Sequence, residues 1–257
     1  DMEPWRSFVM PKLNRCKDAL AEVTGNRITD EKIQASIELY NRNRRLLQQI
    51  DELRRRKPGL LRASEMSGLV MSSMVMPKEE HNALLERFIP KLERSGPASP
   101  GKIKVFLSGH ICSRVRSDIL DLIEDSGGVV VGDDLYVGTR YFATEIPTNL
   151  PPMEALAKGF FDISIPCPTR AEEQENPGRD WANYIVSNAR ESGAQGIICL
   201  FPKWCSYINF SLPSLRDKLA EAGIPYIILD TEHEMVSLGG VKTRIAAFIE
   251  MLEVKGG

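Results

Sequence analysis

A change of hydrophobic period constrains this chain more than any other feature, and it falls where Ser-Gly-Pro-Ala-Ser-Pro-Gly occupies residues 95–101. Before that linker, Ile33, Ile37, Tyr40, Leu47 and Ile50 recur at the spacing of one helix face. Thr29 offers an N-cap oxygen there, and Ile28 and Ile33 flank it like a hydrophobic staple. Pro58-Gly59 ends that helix, Met66, Leu69 and Val70 mark a shorter one, and another begins near Pro77 and is expected to stop at Pro90. Residues 1–94 therefore read as a helical region.

After the linker, short apolar runs alternate with helical patterns. Ile103–Leu107, Gly128–Gly132, Ile163–Ile165, Ile197–Phe201 and Ile224–Leu229 read as strands, with helices over Asp118–Asp125, around Trp181 to Asn188, around Leu215 to Ala222, and around Ile245 to Leu252. Gly223 is the expected stop of the helix before the last strand. Strand-helix repeats of this kind predict an α/β fold, with residues 102–257 forming a flavodoxin-like or Rossmann-like, mostly parallel sheet covered on both faces.

A chain of 257 residues with net charge −2 can bury a substantial core and has no global pull toward nucleic acid or anionic membranes. It holds no apolar run of about 18 residues, and its first residues lack the pattern of a signal peptide, so the expected location is cytoplasmic. Five scattered cysteines argue against a disulfide framework. The sequence also lacks C-x-x-C, H-E-x-x-H and the P-loop pattern.

Three of those cysteines, Cys112, Cys167 and Cys205, follow predicted strands. In a parallel sheet such loops share one edge, where open α/β sheets place their chemistry. Thiolates could converge there on a metal or cluster, although Cys112 and Cys167 each read first as ordinary small residues in loops. Cys199, inside a strand, and Cys16, in an amphipathic helix, are expected in the core. His110 lies at a strand-to-helix turn and reads as a satisfied structural histidine, with an anion-binding role as the alternative. His81 and His233 sit among charged residues and are expected at the solvated surface.

Asp133 and Asp134 are adjacent carboxylates at a strand end, costly unless exposed, paired or used, and Arg140 is close enough in sequence to pair with one. The basic residues Arg42, Arg44, Arg45 and Arg54-Arg55-Arg56-Lys57 could meet phosphates, but on a long amphipathic helix they read first as a solvated face.

The segments GGVVVGDDLYVGTRYF and FPKWCSYINFSLP, the latter followed by the run to Leu252, resemble the benzoyl-CoA reductase/2-hydroxyglutaryl-CoA dehydratase D-type subunits. LAEVTGNRITDEKIQASIELYNRNRRLL is similar to that family's mid-chain helices. The resemblance implies a four-iron four-sulfur cluster with Cys205 as a ligand, further ligands lying in an N-terminal α/β domain outside this stretch. It also implies a related second subunit, an ATP-hydrolysing activator that donates low-potential electrons, and an acyl-CoA substrate. The implied chemistry is one-electron reduction of an aromatic acyl-CoA, or loss of a 2-hydroxyl from a 2-hydroxyacyl-CoA. Tyr136 stands where some relatives have cysteine, and with Trp204 and Tyr207 it favours the aromatic substrate. The rival class is a metal-free flavodoxin-like binding module or structural partner subunit.

Overall fold

A computed structural model describes residues 3–96, 101–110, 113–168, 180–232 and 238–256, the side chains of residues 3–6, 207 and 256 excepted. Cys112 and His233 lie outside the described residues. Four helices open the chain: α1 (Glu3–Thr24), α2 (Asp30–Arg56), α3 (Ala63–Val75) and α4 (Lys78–Arg94). Thr29 caps α2 as expected, its side chain accepting from the Lys32 backbone N–H. The remaining elements are β1 (Ile103–Gly109), α5 (Ser117–Asp125), β2 (Gly128–Asp133), α6 (Thr139–Phe142), α7 (Pro152–Phe161), α8 (Trp181–Glu191), β3 (Gly196–Pro202), α9 (Ser206–Glu221), β4 (Tyr226–Thr231) and α10 (Gly239–Gly256).

The four strands form an all-parallel sheet in the order β2-β1-β3-β4. That is the strand order of the first four strands of flavodoxin-like sheets. Side chains alternate along β3, and each set has its own cover. Ile198 and Leu200 join Ile119 and Ile123 of α5 and Ile245 and Ile249 of α10 on one face. Ile197, Cys199 and Phe201 join Trp181 and Ile185 of α8 and Ile208, Leu215 and Leu219 of α9 on the other. Both faces are thus closed by apolar helix stripes, which is why these strands read as continuous hydrophobic runs. Gly223, with φ of 65°, ends α9 in the left-handed conformation open to glycine.

A third apolar cluster joins Leu47 and Ile50 of α2, Met66 and Val70 of α3, and Leu85, Ile89 and Leu92 of α4 to Val137 and Phe142 from the segment after β2. The helical stretch consequently shares its core with residues beyond the linker.

Several local expectations require correction. Ile163–Ile165 is not a strand; side chains take its backbone groups, with Ser164 N–H donating to Thr144 Oγ1 and Arg140 donating to the Ile165 carbonyl. Helix α4 runs through Pro90 to Arg94, and α9 runs through Pro213 and starts directly after Cys205. One missing hydrogen bond does not end a helix whose apolar residues are buried on both sides of the proline, as Ile89 and Leu92 are, or Ile208 and Leu215. Cys16 is exposed rather than in the core, because α1 packs against α7 and leaves most of its length in solvent.

Two titratable side chains expected at the surface are also inside. His81 is buried, its two ring nitrogens bonded to Asn43 Nδ2 at 2.7 Å and Ser72 Oγ at 3.0 Å. Arg54 is 1 % exposed, with Nη2 donating to Asp51 at 2.7 Å and to Asp133 at 3.0 Å. Burial opposes charge on Arg54, but those two carboxylates more than offset it and raise the guanidinium above its ordinary value. Arg42, Arg45 and Arg56 do form the solvated face, paired with Glu86, Glu145 and Glu52.

Candidate functional site at the strand-end crevice

Strand order reverses direction between β1 and β3, so the crevice outside their carboxyl ends is the position where open α/β sheets bind ligands. Gly109-His110 leaves β1 at this point, and Pro202 to Cys205 leaves β3. Cys205 is half-buried, occupies the N-cap position of α9, and donates its backbone N–H to the Pro202 carbonyl at 3.2 Å. The two described non-glycine residues with positive φ lie here, His110 at 45° and Trp204 at 64°. Conformations of that kind cost free energy and are held only where neighbours fix them. Trp204, next to Cys205 in the chain, is 92 % exposed and Phe210, on the second turn of α9, is 86 % exposed, so an aromatic rim marks the exposed start of α9.

The strand ends are tied together by a buried carboxylate. Asp134, fully buried, accepts from Gly109 N–H at 3.0 Å, from Arg140 Nη2 at 3.0 Å and from Trp181 Nε1 at 2.7 Å. The expected pairing of Arg140 with one of the two carboxylates is therefore present, on Asp134, with β1 and α8 recruited to the same carboxylate. Asp133 pairs with Arg54 and also accepts from the Leu135 and Thr139 N–H groups, at 3.2 and 2.9 Å. Gly109 has φ of 111°, and a Cβ there would overlap the Leu200 carbonyl oxygen. Glycine at this position lets β1 close onto β3.

His110 is a satisfied side chain, as read from the sequence. Its Nδ1 meets Ser113 Oγ at 2.8 Å and its Nε2 meets Thr231 Oγ1 at 2.7 Å, linking the ends of β1 and β4. Tyr136 stands beside it, its N–H donating to the His110 carbonyl at 3.3 Å, with 46 % of its surface exposed. Cys167 and Cys205 are half-buried and pack against the same apolar cluster around Phe201 and Trp181. Cys199 is fully inside it, where burial pushes the thiol far above its ordinary range, with the Asp134 charge adding to the shift. Among the described residues, no three His, Cys, Asp or Glu side chains are grouped to hold a metal ion.

Sequence reasoning did not find Thr231 or Trp181 as partners of His110 and Asp134. Both contacts span more than forty residues, and neither residue stands out in its own segment.

Fold and crevice together define a doubly wound α/β layer with a half-buried thiol at its ligand-binding edge. Comparison with known proteins then places the chain: it belongs to the family described as "2-hydroxyglutaryl-CoA dehydratase, D-component", which matches residues 3–252. It is 26 % identical to a benzoyl-CoA reductase subunit of Thauera aromatica over 96 % of the chain and 64 % of that protein. The (R)-phenyllactyl-CoA dehydratase beta subunit of Clostridium sporogenes is 28 % identical, with coverage of 98 % and 65 %. The (R)-2-hydroxyglutaryl-CoA dehydratase beta subunit of Acidaminococcus fermentans is 25 % identical, with coverage of 96 % and 64 %. The chain thus spans a little under two thirds of the length of these relatives. No helix among the described residues is long and apolar enough to cross a membrane.

Proposed function

We propose that this chain is part of an iron-sulfur subunit of an acyl-CoA reductase or 2-hydroxyacyl-CoA dehydratase that pairs with a related second subunit. The observation that carries the reading is the family match over residues 3–252, combined with Cys205 at the carboxyl end of β3 beside the sheet's switch point. Low-potential electrons would come from an ATP-hydrolysing activator, and the substrate would be an acyl-CoA. When bound, a four-iron four-sulfur cluster supplies one-electron transfer.

A cubane of this kind takes three or four thiolate ligands. The described residues offer Cys205, and Cys167 on the same apolar cluster, but no complete donor set. Cys205 is therefore proposed as this chain's ligand to a cluster completed by residues outside this stretch. Asp134 would act as a positioning group, fixing the β1, β2 and α8 ends that frame the crevice. Trp204 and Phe210 would exclude water on the open side. The aromatic rim favours an aromatic acyl-CoA; a 2-hydroxyacyl-CoA is the second reading, supported by the dehydratase relatives.

Anaerobic iron and sulfide analysis of the assembled subunit, wild type against Cys205→Ser and Cys167→Ser, tests the assignment. The expected result is loss of iron, sulfide and visible absorbance in Cys205→Ser, with Cys167→Ser close to wild type. Unchanged content in Cys205→Ser would remove it from the ligand set, and a colourless wild type would leave a metal-free partner subunit.

A further inference from the structure

A groove between α2 and α7 lies outside the strand-end crevice and shares no residue with it. It encloses about 680 Å³, within the range of small-molecule sites. Ile33, Ile37, Ile146 and Leu156 give it an aliphatic wall, and Tyr40 and Arg44 contribute polar atoms to the lining.

Arg44 is the informative residue. Its Nη1 donates to Asn41 Oδ1 at 3.0 Å, and that amide is otherwise spent on the backbone, accepting from Ile146 N–H at 2.9 Å and donating to the Ile146 carbonyl at 2.7 Å. The neighbouring acid, Glu145, is paired with Arg45 at 2.5 Å. Among the described residues no carboxylate lies within ion-pair distance of Arg44, whereas Arg42 and Arg45 on the same helix each have one. Burial lowers the Arg44 pKa, with the more distant Tyr141 and Glu145 acting the other way.

A second cation adjoins the groove. Lys78 is buried and meets only neutral oxygens: the Ser73 carbonyl, Ser73 Oγ at 2.7 Å and Tyr141 OH at 2.9 Å. Its Nζ lies 5.0 Å from the Tyr40 ring centroid. Lys32, at the groove's edge, donates to the Arg27 carbonyl at 2.9 Å. Arg44 and Lys78 are therefore cations withdrawn from solvent with neutral partners, while Lys32 is exposed, and a planar fork of N–H donors is the geometry that accepts a carboxylate.

We propose that this groove binds a small organic carboxylate, a monoanion with a compact aromatic or aliphatic body, its carboxylate on the remaining N–H donors of Arg44 and its body against Ile33, Ile37, Ile146 and Leu156. Arg44 is the half-buried cation of the lining, whereas Arg27 and Lys32 are exposed at its edge, and the aliphatic wall beside Arg44 suits a single carboxylate better than a polyanion. The inference is independent of the acyl-CoA reading, so Cys205→Ser leaves it intact.

Isothermal titration of the purified protein with 3-phenylpropanoate and with 3-phenylpropanamide provides the test. Saturable one-to-one binding of the acid is expected, with the amide weaker by about tenfold or more, since a hydrogen bond between charged partners is replaced by a neutral one. Arg44→Met should lose binding of the acid to a similar extent, Arg44→Lys less, and Cys205→Ser not at all, with circular dichroism confirming the fold of each. Leu156→Trp fills the groove while keeping Arg44, and should abolish binding even if Arg44→Met fails to fold. Equal affinity for acid and amide, undiminished binding in Leu156→Trp or in a folded Arg44→Met, or no saturable binding up to ~5 mM would overturn the proposal.

Discussion

The sheet and the helical stretch solve the problem of burying polar groups in opposite ways. In the sheet, polar chemistry is pushed to the strand ends: β1 and β3 are apolar but for Ser108 and for Lys104, which is exposed at the start of β1, and Asp133, Asp134, His110 and Cys205 sit at the carboxyl edge. Among α2, α3 and α4 the polar groups are inside. Asn43 donates to Asn82 Oδ1 at 2.7 Å and meets His81, Ser73 donates to Asn43 Oδ1 at 2.5 Å, and Lys78 closes the network. The difference teaches where each region gets its specificity. A parallel sheet is registered by its backbone ladder, whereas helices packed on aliphatic residues can slide, and a satisfied buried polar network penalises the wrong register. The two schemes meet at Arg54 and Asp133, one from each region.

The comparison can be broken most sharply at that seam. Asp133→Ala removes one of the two carboxylates holding Arg54 and orphans the Leu135 and Thr139 N–H groups. Destabilisation of about 3–5 kcal/mol is expected in urea unfolding, with part recovered in the Asp133→Ala/Arg54→Met double variant. A loss under 1 kcal/mol, roughly the size of a surface pair, would mean the seam is not holding the regions together.

Within the sheet, Gly109→Ala should cost about 2 kcal/mol, because φ of 111° is closed to alanine and the Leu200 carbonyl occupies the Cβ position. The same unfolding measurement checks it, and a neutral result would show that β1 and β3 can separate at the crevice.

The smallest effect belongs to the helical network. Burial, and then the charge of Lys78, hold His81 below its ordinary value of 6.5. As pH falls below about 6.5 the unfolded chain takes up a proton that the folded chain refuses. The stability contributed by neutral His81 is thus complete above that pH and is lost on acidification. Wild type should lose more stability between pH of about 7.5 and 5.5 than His81→Gln does; equal slopes would place the titrating group elsewhere.

Much of the architecture was legible in the sequence. The Thr29 cap, the Gly223 stop and the apolar runs of β1 to β4 each follow from local chemistry, because propensity, capping and burial on both sheet faces leave marks within a few residues. Cys205 at a strand end was legible for the same reason, and so was a pairing of Arg140 with one of Asp133 and Asp134, although the choice of Asp134 was not. The expected stop at Pro90 failed, because packing on both sides outweighed one lost hydrogen bond, and α9 runs through Pro213 in the same way.

What only the tertiary structure decided is which charges go inside. Arg54 and His81 sit in segments as charged as any exposed helix, and their partners are 79 and 38 residues away. The same holds for His110 with Thr231, 121 residues apart, and for Arg44, which is half-buried and, among the described residues, has no ion-pair partner, whereas Arg42 and Arg45 are exposed and paired. Local sequence determines whether a segment becomes a helix or a strand, since backbone hydrogen bonds and side-chain entropy are settled within a turn or two. Burial of a charge depends on a partner delivered by another element, so its free energy exists only once the fold brings the two together.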